Sequence, residues 1–393
     1  MVWLKVSLLL LLPELFYVDA EQGAFVGLAG NNSLVIRPPM DGQVLIDGAD
    51  FRALVAKVQA LEQRLDEQQC TTVADTTTIA GLGTANFKWR DGVLAGNGKI
   101  YGIPYNSASV LIIDSTTNTA DITTIAGLTS GSGKWFGGEL ARNGRIYGIP
   151  YNAASVLIID PTTNTADTTT MTGLTSGGEK WSGGVLAVNG KIYGIPYSST
   201  SVLIIDPTAN TTDITTITGL SGSAWAGGVL AGNGKIYGIP HNSASVLIID
   251  STTNTVDTTT ITGLSGSGMW NGGVLAGSGK IYGIPYHAAS VLIIDPATNT
   301  ADTTTITGLS GASKSYGGVL AGNGKIYGMP ADSASVLIVD PATHIADTTT
   351  IAGLSGSAKW SAGVSANGKI YGIPFTSTST LVLQSVCMLT KGL

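Results

Sequence analysis

Residues 181–220 read WSGGVLAVNGKIYGIPYSSTSVLIIDPTANTTDITTITGL, and this stretch decides the fold because near-copies of it fill most of the chain. Seven copies lie between Trp89 and Phe375. The tyrosine of their shared IYG word stands at Tyr101, Tyr147, Tyr193, Tyr237, Tyr282, Tyr327 and Tyr371. The spacing is therefore 44 to 46 residues. A repeat of this length, with several short strands per unit, is typical of propeller blades.

Within each copy, the residue types predict four strands joined by tight turns. The GGVLA and KIYGI runs flank an Asn-Gly pair, which predicts a hairpin with a type I′ turn because both residues tolerate positive φ. The SVLIID run is apolar almost throughout, as expected of a strand buried on both faces. After a second turn, such as the one over residues 160–165, we expect the Asp-Thr-Thr-Thr-Ile run to form the outer strand.

The phase of the repeat predicts how the ring closes. The outer-strand word begins at Asp75, Asp121, Asp167, Asp213, Asp257, Asp302 and Asp347. Its first copy precedes Trp89, and the last unit has no outer strand of its own. The strand from Asp75 should therefore complete the seventh blade, which leaves no free edge. The predicted fold is all-β, a seven-bladed propeller of four-stranded blades over residues 71–387, followed by a tail over 388–393.

The two cysteines favour the same closure. On the repeat template, Cys70 and Cys387 both fall at the tip of the hairpin that this closure cuts open. We predict a Cys70–Cys387 disulfide in place of the missing covalent turn. In the chain-entropy model, a loop this long contributes on the order of 5 kcal/mol. The alternative is two free buried cysteines.

Composition and the N-terminus bound the setting. With a net charge of −6 and no Lys/Arg cluster, the chain lacks the footprint of a nucleic-acid binder. Residues 1–20 combine one positive charge, a short apolar run and a small residue at Ala20, which predicts a cleaved signal peptide. A signal-anchor and an ordinary buried N-terminus are the alternatives. No later stretch is apolar enough to span a membrane, so we expect a secreted, extracellular or cell-surface protein.

The segment before the ring has a pattern of its own. Residues 21–49 are irregular, whereas residues 50–69 place apolar side chains at Phe51, Leu54, Val58, Leu61 and Leu65 in heptad steps. Two interpretations stay open. The segment is either an amphipathic helix lying on the propeller or a short coiled coil through which residues 50–68 form a homo-oligomer.

Part of each copy resembles a known repeat. The IYGIP run of 192–196, the SVLIID run of 201–206 and the Asn210-Thr211 pair are similar to the repeat of the YVTN-type propellers, a kelch- and NHL-like group. The resemblance covers about residues 75–385. It implies a seven-bladed propeller, usually extracellular or surface-associated, with no shared catalytic residues. The chain departs from that family in having Gly-Ile-Pro where the family has Val-Thr-Asn.

The sequence shows no familiar catalytic pattern. Its three histidines are His241, His287 and His344; the first two occupy neighbouring positions of one loop in consecutive units, and the third lies in the opposite turn. They cannot meet as a metal site, and no nucleophile or zinc motif is present. We therefore predict no catalytic residues, no metal, no cofactor and no enzymatic activity.

The positions that vary indicate where a ligand could bind. Loops joining second to third strands and loops joining blades should open on one face of the disc, called here the loop face. Immediately after the proline of each unit stand Tyr105, Tyr151, Tyr197, His241, Tyr286, Ala331 and Phe375. The Ala331 unit also departs at Met329 and Asp332, and we expect Tyr316 to take the place of its tryptophan. Either these rings form a shallow aromatic face for sugar or peptide, or they wedge between blades with the tryptophans.

The predicted function is a secreted, non-enzymatic scaffold that binds protein or glycan through the loop face. Two alternatives remain. One is a purely structural surface-coat protein, and the other is a polysaccharide hydrolase or lyase.

Overall fold

A computed structural model describes residues 25–28, 34–37, 45–46, 49–50, 68–222 and 224–389, with side chains over 71–222 and 224–386. Its main feature is a ring of seven four-stranded antiparallel sheets, and residues 68–222 and 224–389 contain no helix. From the inner to the outer strand, the blades are β6(Trp89–Leu94), β7(Lys99–Pro104), β8(Leu111–Asp114), β9(Thr119–Asp121); β10(Trp135–Leu140), β11(Ile146–Pro150), β12(Leu157–Asp160), β13(Thr165–Asp167); β14(Trp181–Leu186), β15(Ile192–Pro196), β16(Leu203–Asp206), β17(Thr211–Asp213); β18(Trp225–Leu230), β19(Lys235–Pro240), β20(Leu247–Asp250), β21(Thr255–Asp257); β22(Trp270–Leu275), β23(Ile281–Pro285), β24(Leu292–Asp295), β25(Thr300–Asp302); β26(Ser315–Leu320), β27(Ile326–Pro330), β28(Leu337–Asp340), β29(Ile345–Asp347); and β30(Trp360–Ala366), β31(Lys369–Pro374), β32(Leu381–Leu389), β5(Gln68–Asp75).

The ring closes as the phase of the repeat predicts. In the seventh blade the strand order is β30-β31-β32-β5, so the outer strand comes from the N-terminal side of the ring. The inner strands pack side by side around the axis, including β30 against β6. Across that junction, the Ser361 hydroxyl donates to the Trp89 carbonyl at 3.0 Å and the Tyr371 hydroxyl donates to Asn118 Oδ1 at 2.8 Å. The predicted fold class is confirmed.

The hairpin turns differ from the prediction in six blades, at five of the Asn-Gly pairs and at Ser278-Gly279. In blade 1, Gly98 has φ 77° but Asn97 does not have positive φ, and the Ala95 amide donates to the Lys99 carbonyl at 2.9 Å. This is a three-residue loop that ends in a left-handed glycine, a common alternative to the type I′ turn. Blade 7 has one residue fewer here, and only there do both turn residues, Asn367 at 48° and Gly368 at 71°, have positive φ.

The outer strand also differs from the prediction. It ends at the aspartate, as in Thr119–Asp121, and the threonines that follow form bends. Asp121 Oδ1 accepts hydrogen bonds from the amides of Thr123 at 2.6 Å and Thr124 at 3.2 Å. A side chain that binds the amides two and three residues on competes with strand pairing, which explains why the strand stops at the aspartate.

The invariant tryptophans and strand tyrosines pack between blades. Trp225 lies in an apolar cluster built from blades 3 and 4, and its indole donates to the Ser245 carbonyl at 2.8 Å. Tyr193 is fully buried, and its hydroxyl donates to Asn254 Oδ1 on the next blade at 2.6 Å. Because Asn254 has φ 53°, the repeat keeps asparagine at a turn position that most residues avoid. The conserved words of the repeat are therefore contacts between neighbouring blades.

The glycine pair of the inner strand allows the blades to meet at the axis. Gly227 has φ 74°, and a Cβ atom there would lie 3.1 Å from the Cα of Gly272 on the next blade. The equivalent positions in blades 2 to 5 share this left-handed backbone, which favours glycine. Two blades depart from glycine at this position, with Asp91 in blade 1 and Ala362 in blade 7.

Residues 1–71 and 386–393 form a second compact unit. Its described strands are β1(Phe25–Leu28), which pairs with β2(Leu34–Arg37), and β3(Leu45–Ile46), which pairs with β4(Ala49–Asp50). The predicted signal peptide over 1–20 and the core of the predicted helix, residues 51–67, lie outside the described residues. Of the helix prediction, residue 50 falls in β4 and residues 68–69 fall in β5. Within the described ranges, no helix is long and apolar enough to cross a bilayer.

Candidate functional site: an aromatic bowl on the loop face

A closed belt of backbone hydrogen bonds supports the loop face. Each N–H of the belt donates to the carbonyl of the preceding member, at N···O distances of 2.7–3.2 Å. The members, in order, are Lys88, Tyr105, Lys134, Tyr151, Lys180, Tyr197, Ala224, His241, Met269, Tyr286, Lys314, Ala331, Lys359 and Phe375, whose carbonyl accepts from Lys88. The belt joins all seven blades and fixes the backbone of every position that follows a strand proline.

The rings predicted to line a binding face do come together. Seven rings form a closed circuit in which neighbouring centroids lie 5.4–5.9 Å apart. In order, they are Phe375, Tyr105, Tyr151, Tyr197, His241, Tyr286 and Tyr316. They surround a depression of about 260 Å³, called here the aromatic bowl. These rings differ from the tryptophans, which lie between the blades.

Tyr316 does not occupy the tryptophan position. Ser315 pairs with Pro330 as Trp135 pairs with Pro150, so Ser315 stands where the other blades have tryptophan, and Tyr316 follows it. The Tyr316 ring lies between those of Tyr286 and Phe375 and fills the gap that Ala331 leaves in the circuit. In this blade, the ring of Tyr316 therefore compensates for the missing ring at Ala331.

The floor of the aromatic bowl comes from a position that the sequence argument missed. The residue after the inner-strand tryptophan differs in almost every blade, as Arg90, Phe136, Ser182, Ala226, Asn271, Tyr316 and Ser361. Five of these side chains line the depression, namely those of Arg90, Phe136, Ala226, Asn271 and Tyr316. The sequence does contain a signal for this position. A residue that varies between blades while its neighbours repeat is not constrained by packing between the blades.

Arg90 is the charged group at the centre of this floor. Its guanidinium carbon lies 4.0 Å from the Tyr316 ring centroid, 4.3 Å from that of Phe136 and 4.8 Å from that of Phe375. The residue is only 7% exposed. The ion pairs within the described residues join lysine or arginine to aspartate across the hairpins, and none of them involves Arg90.

Buried hydroxyls add polar groups to the rim. Burial raises the pKa of Tyr105, Tyr151 and Tyr197, and it raises the pKa of Tyr316 to about 12, although the Arg90 charge opposes that rise. These phenols therefore stay protonated at neutral pH and present both an O–H donor and an oxygen acceptor. The rim can bind a ring by its face and a hydroxyl by its edge.

The histidines fall as the repeat predicts. His241 belongs to the circuit, its pKa is lowered mainly by burial, and its Nδ1 lies 3.1 Å from the Trp270 carbonyl. His287 stacks on Tyr286 outside the circuit at 4.3 Å between centroids. His344 replaces the turn asparagine, and its Nδ1 lies 3.4 Å from the Tyr282 hydroxyl. Within the described residues, no three histidine, cysteine or acidic side chains are grouped to hold a metal ion.

Five belt lysines fix the loops behind the rings. Lys88, Lys134, Lys180, Lys314 and Lys359 precede the inner strands and are buried. The Lys359 ammonium donates to the carbonyls of Ala331 at 2.7 Å, Ser333 at 2.8 Å and Gly356 at 2.9 Å. Burial lowers the pKa of Lys88, Lys134 and Lys180 to about 8. These ammonium groups hold loop backbone, which the sequence argument also missed.

Two carboxylates interrupt the repeat near the axis. Asp91 Oδ1 accepts from the Gly92 amide at 2.8 Å, and Oδ2 accepts from the Gly138 amide of the next blade at 3.1 Å. Burial raises the pKa of Asp91 to about 6 against those hydrogen bonds and the Arg90 charge. Glu139 accepts from the Leu186 amide at 2.8 Å, and burial, with a contribution from Asp91, raises its pKa to about 7.

Comparison with solved structures supports the architecture. A streptogramin B lyase structure is similar at 9% identity with TM-score 0.67, covering 80% of this chain and 98% of that one. Virginiamycin B lyase from Staphylococcus aureus is similar at 9% identity with TM-score 0.65, over 81% and 100%. The extracellular domain of a putative one component system from B. thetaiotaomicron is similar at 10% identity with TM-score 0.58, over 80% and 43%. At these identities, the likeness shows the propeller fold alone.

No protein-family model and no curated protein matches the chain. Membership of the YVTN-type family is therefore not confirmed, whereas the seven-bladed propeller that the resemblance implied is.

The prediction that the chain has no enzymatic activity is wrong, because solved structures of similar fold include enzymes. Two of the similar structures are lyases, so a seven-bladed propeller of this shape is compatible with catalysis. The fold by itself does not decide between a binding protein and an enzyme.

Proposed function

We propose that this protein is an extracellular scaffold that binds a glycan in the aromatic bowl. The observation that carries the proposal is the closed circuit of seven rings around a depression of about 260 Å³. Pockets for drug-sized ligands span about 300–1,000 Å³, so the aromatic bowl suits one or two sugar rings rather than a large ligand. Apolar ring faces that line the depression, beside hydroxyl groups, suit the two kinds of surface that a sugar presents.

Residues that have no packing role support a binding role. Asn271 is 6% exposed, lines the depression and makes no side-chain hydrogen bond to residues 71–222 or 224–386. Its amide is therefore available to hydrogen-bond to a ligand or to water in the depression. A purely structural coat protein gives no reason for these departures from the repeat, which cluster at one mouth of the ring.

The extracellular setting has support from the cysteines as well as from residues 1–20. Cys70 lies in β5 and Cys387 in β32, which are neighbours in the seventh sheet. Their side chains lie outside the described residues. In blade 1, Asp114 pairs with Thr119, and the same register carried along β5 and β32 sets Cys70 opposite Cys387. Directly opposed strand residues have Cα separations that a disulfide can span, and such bonds persist in oxidising compartments.

Intact-mass measurement tests the disulfide. We expect the full chain to gain two mass units on reduction and to react with a thiol reagent only afterwards. Two thiols that react in unreduced, secreted protein would contradict both the bond and this argument for the extracellular setting.

A glycan array tests the binding function. We expect the full chain to bind a restricted set of glycans, and we expect Tyr151→Ala and Tyr197→Ala to lose most of that binding. Ile345→Ala is the matched control. Ile345 is 62% exposed on the outer strand β29 and is not among the residues that line the aromatic bowl. If the chain binds a protein and no glycan, the ligand is a protein. If it binds neither, the structural coat role is favoured.

Cleavage of the bound glycan is a second candidate function. It is suggested by the likeness to two lyase structures and by two buried inner-strand acids, Asp91 and Glu139, whose pKa values are raised to about 6 and 7; neither acid is among the residues that line the aromatic bowl. Incubating a glycan that the array identifies, followed by mass analysis of the products, tests this candidate. We expect Asp91→Asn to stop any turnover while it leaves binding intact.

A further inference from the structure

We infer that the aromatic bowl selects sugars that carry an oxyanion, a carboxylate or a sulfate, and that Arg90 binds this group. The inference rests on the proposed glycan-binding function and specifies its ligand class. The inference starts from Arg90. Among the seven residues that follow the tryptophan position, Arg90 is the one with a positive charge.

The surroundings of Arg90 engage it through three rings and the Tyr316 hydroxyl and leave its other donors available. Three rings lie 4.0–4.8 Å from the guanidinium carbon and stack against or approach the group. Ring faces attract the cation but accept no in-plane N–H hydrogen bonds. Among the described residues, no carbonyl or carboxylate oxygen accepts a hydrogen bond from Arg90. The in-plane edge of a guanidinium matches a planar carboxylate or a sulfate in a bidentate pair.

The nearby charges do not satisfy Arg90. Both oxygens of Asp91 are held by the amides of Gly92 and Gly138, and Asp91 forms no ion pair with Arg90 within 4.0 Å. Glu179 is exposed at the rim beside Tyr151, and His241 is buried across the circuit. No carboxylate among the described residues forms an ion pair with Arg90, so an anionic ligand group would complete the site.

The other floor positions give such a ligand room and a second contact. Ala226 is small, and Asn271 stands on the inner strand next to that of Tyr316. Its amide can donate to a ring hydroxyl or to the oxyanion and can accept from a hydroxyl. The floor therefore has a filled side with Phe136 and Tyr316 around Arg90, and an open side for the sugar ring.

Binding of charge-matched sugars to the full chain tests the inference. The probes are a galacturonate oligomer and its methyl ester, a glucuronate oligomer and its methyl ester, and sulfated and unsulfated galactose oligomers, each measured by titration calorimetry. Each pair differs only in the anionic group. We expect the acidic member of at least one pair to bind more than about tenfold tighter, because hydrogen bonds to charged groups discriminate strongly. The uronate and sulfate arms identify which oxyanion is preferred.

Arg90→Met is the decisive variant, because methionine keeps an apolar stem between the rings and removes the donors. We expect it to bring the affinities of an acidic sugar and its neutral partner to within about twofold. Arg142→Met is the matched control, since Arg142 is exposed on a hairpin turn, and it should keep the wild-type preference. If Arg90→Met does not fold, the wild-type preference for the acidic sugar should still fall as salt is raised.

The outcomes separate the inference from the function on which it rests. Equal affinity for acidic and neutral members would overturn the oxyanion inference and leave glycan binding standing. An acid preference that survives in Arg90→Met would overturn the assignment to Arg90. No binding by any probe, together with silence on the array, would overturn both proposals.

Discussion

Two sets of aromatic rings sit within a few residues of each other in every blade, and they behave in opposite ways. The inter-blade rings, such as Trp181 and Tyr193, are invariant or nearly so, buried, and each hydrogen-bonded to a fixed partner. The rings of the aromatic bowl vary and contact mainly one another around a depression. A contact that recurs at every junction constrains every copy of the repeat, whereas a contact that serves one mouth of the ring does not. Fidelity to the repeat therefore marks packing, and departure from it marks the candidate site.

Trp181→Ala gives the strongest test of the packing role assigned to the inter-blade rings. Trp181 is 2% exposed and packs between two blades, so its removal should cost about 3–5 kcal/mol of unfolding free energy. Tyr197→Ala, in the aromatic bowl, is the control and should cost far less. Denaturant unfolding of both variants measures the difference. Similar losses for the two would mean that the rings of the bowl also hold the blades together.

A glycine pair extends the comparison from rings to backbone. Gly227→Ala should cost about 1–3 kcal/mol, because its φ of 74° is strained for alanine and its Cβ would lie 3.1 Å from Gly272 Cα. Gly232→Ala, in the same blade, has nothing within 4 Å of its Cβ and should be near neutral. The same unfolding measurement separates them. Equal stabilities would show that the blades can move apart at the axis.

Removing single hydroxyls should give a smaller effect in the same direction. Tyr193→Phe loses the hydrogen bond to Asn254 at 2.6 Å and the one from Asn189 at 2.9 Å, at a cost of about 1 kcal/mol. Tyr197→Phe should change stability by less than about 0.5 kcal/mol but weaken glycan binding. If Tyr197→Phe lowered stability and Tyr193→Phe weakened glycan binding instead, the roles assigned to the bowl rings and the inter-blade rings would be wrong.

The buried carboxylates near the axis and the turn aspartates predict a stability maximum between about pH 4 and pH 6. Hydrogen bonds from threonine hydroxyls and amides lower the pKa of the turn aspartates, such as Asp121, from 3.8 to about 2. Their contribution is present above about pH 4 and is lost as pH falls through 2. The raised pKa values of Asp91 and Glu139 act in the other sense, with a contribution present below about pH 4 and lost as pH rises through 6 to 7.

Thermal unfolding across that pH range checks the maximum. The double change Asp91→Asn with Glu139→Gln should flatten the limb above pH 6 and leave the acid limb unchanged. A wild-type limb that survives the double change would assign the upper limb to other groups.

Much of the fold could be read from the sequence because its period, turn residues and closure phase are repeated seven times. The errors came from single interactions that the period does not reveal. The carboxylate of Asp121 ends its strand by binding the amides of Thr123 and Thr124, so the Thr-rich run is a bend. One extra residue in the hairpin of blade 1 changes its turn type.

The candidate site could be predicted only in part. The positions after each strand proline identify most of the rim, whereas Arg90 and Asn271 lie one residue after the tryptophan position, for which the sequence predicts nothing. Tyr316 lies one residue after its predicted place because Ser315 breaks the tryptophan series. Which side of a bulged inner strand a residue faces depends on the backbone path near the axis, and no linear pattern gives that path.

The belt beneath the rings has a consequence for how such a protein can change. It is built from main-chain groups and returns to its starting residue, so it has no terminus at which it could fray. Exchange of a rim side chain leaves every one of its hydrogen bonds in place, as the alanine at 331 and the histidine at 241 already illustrate. Support and the proposed recognition are thus assigned to different parts of the same residues. A new set of rim side chains on this frame would create a new specificity without a new fold.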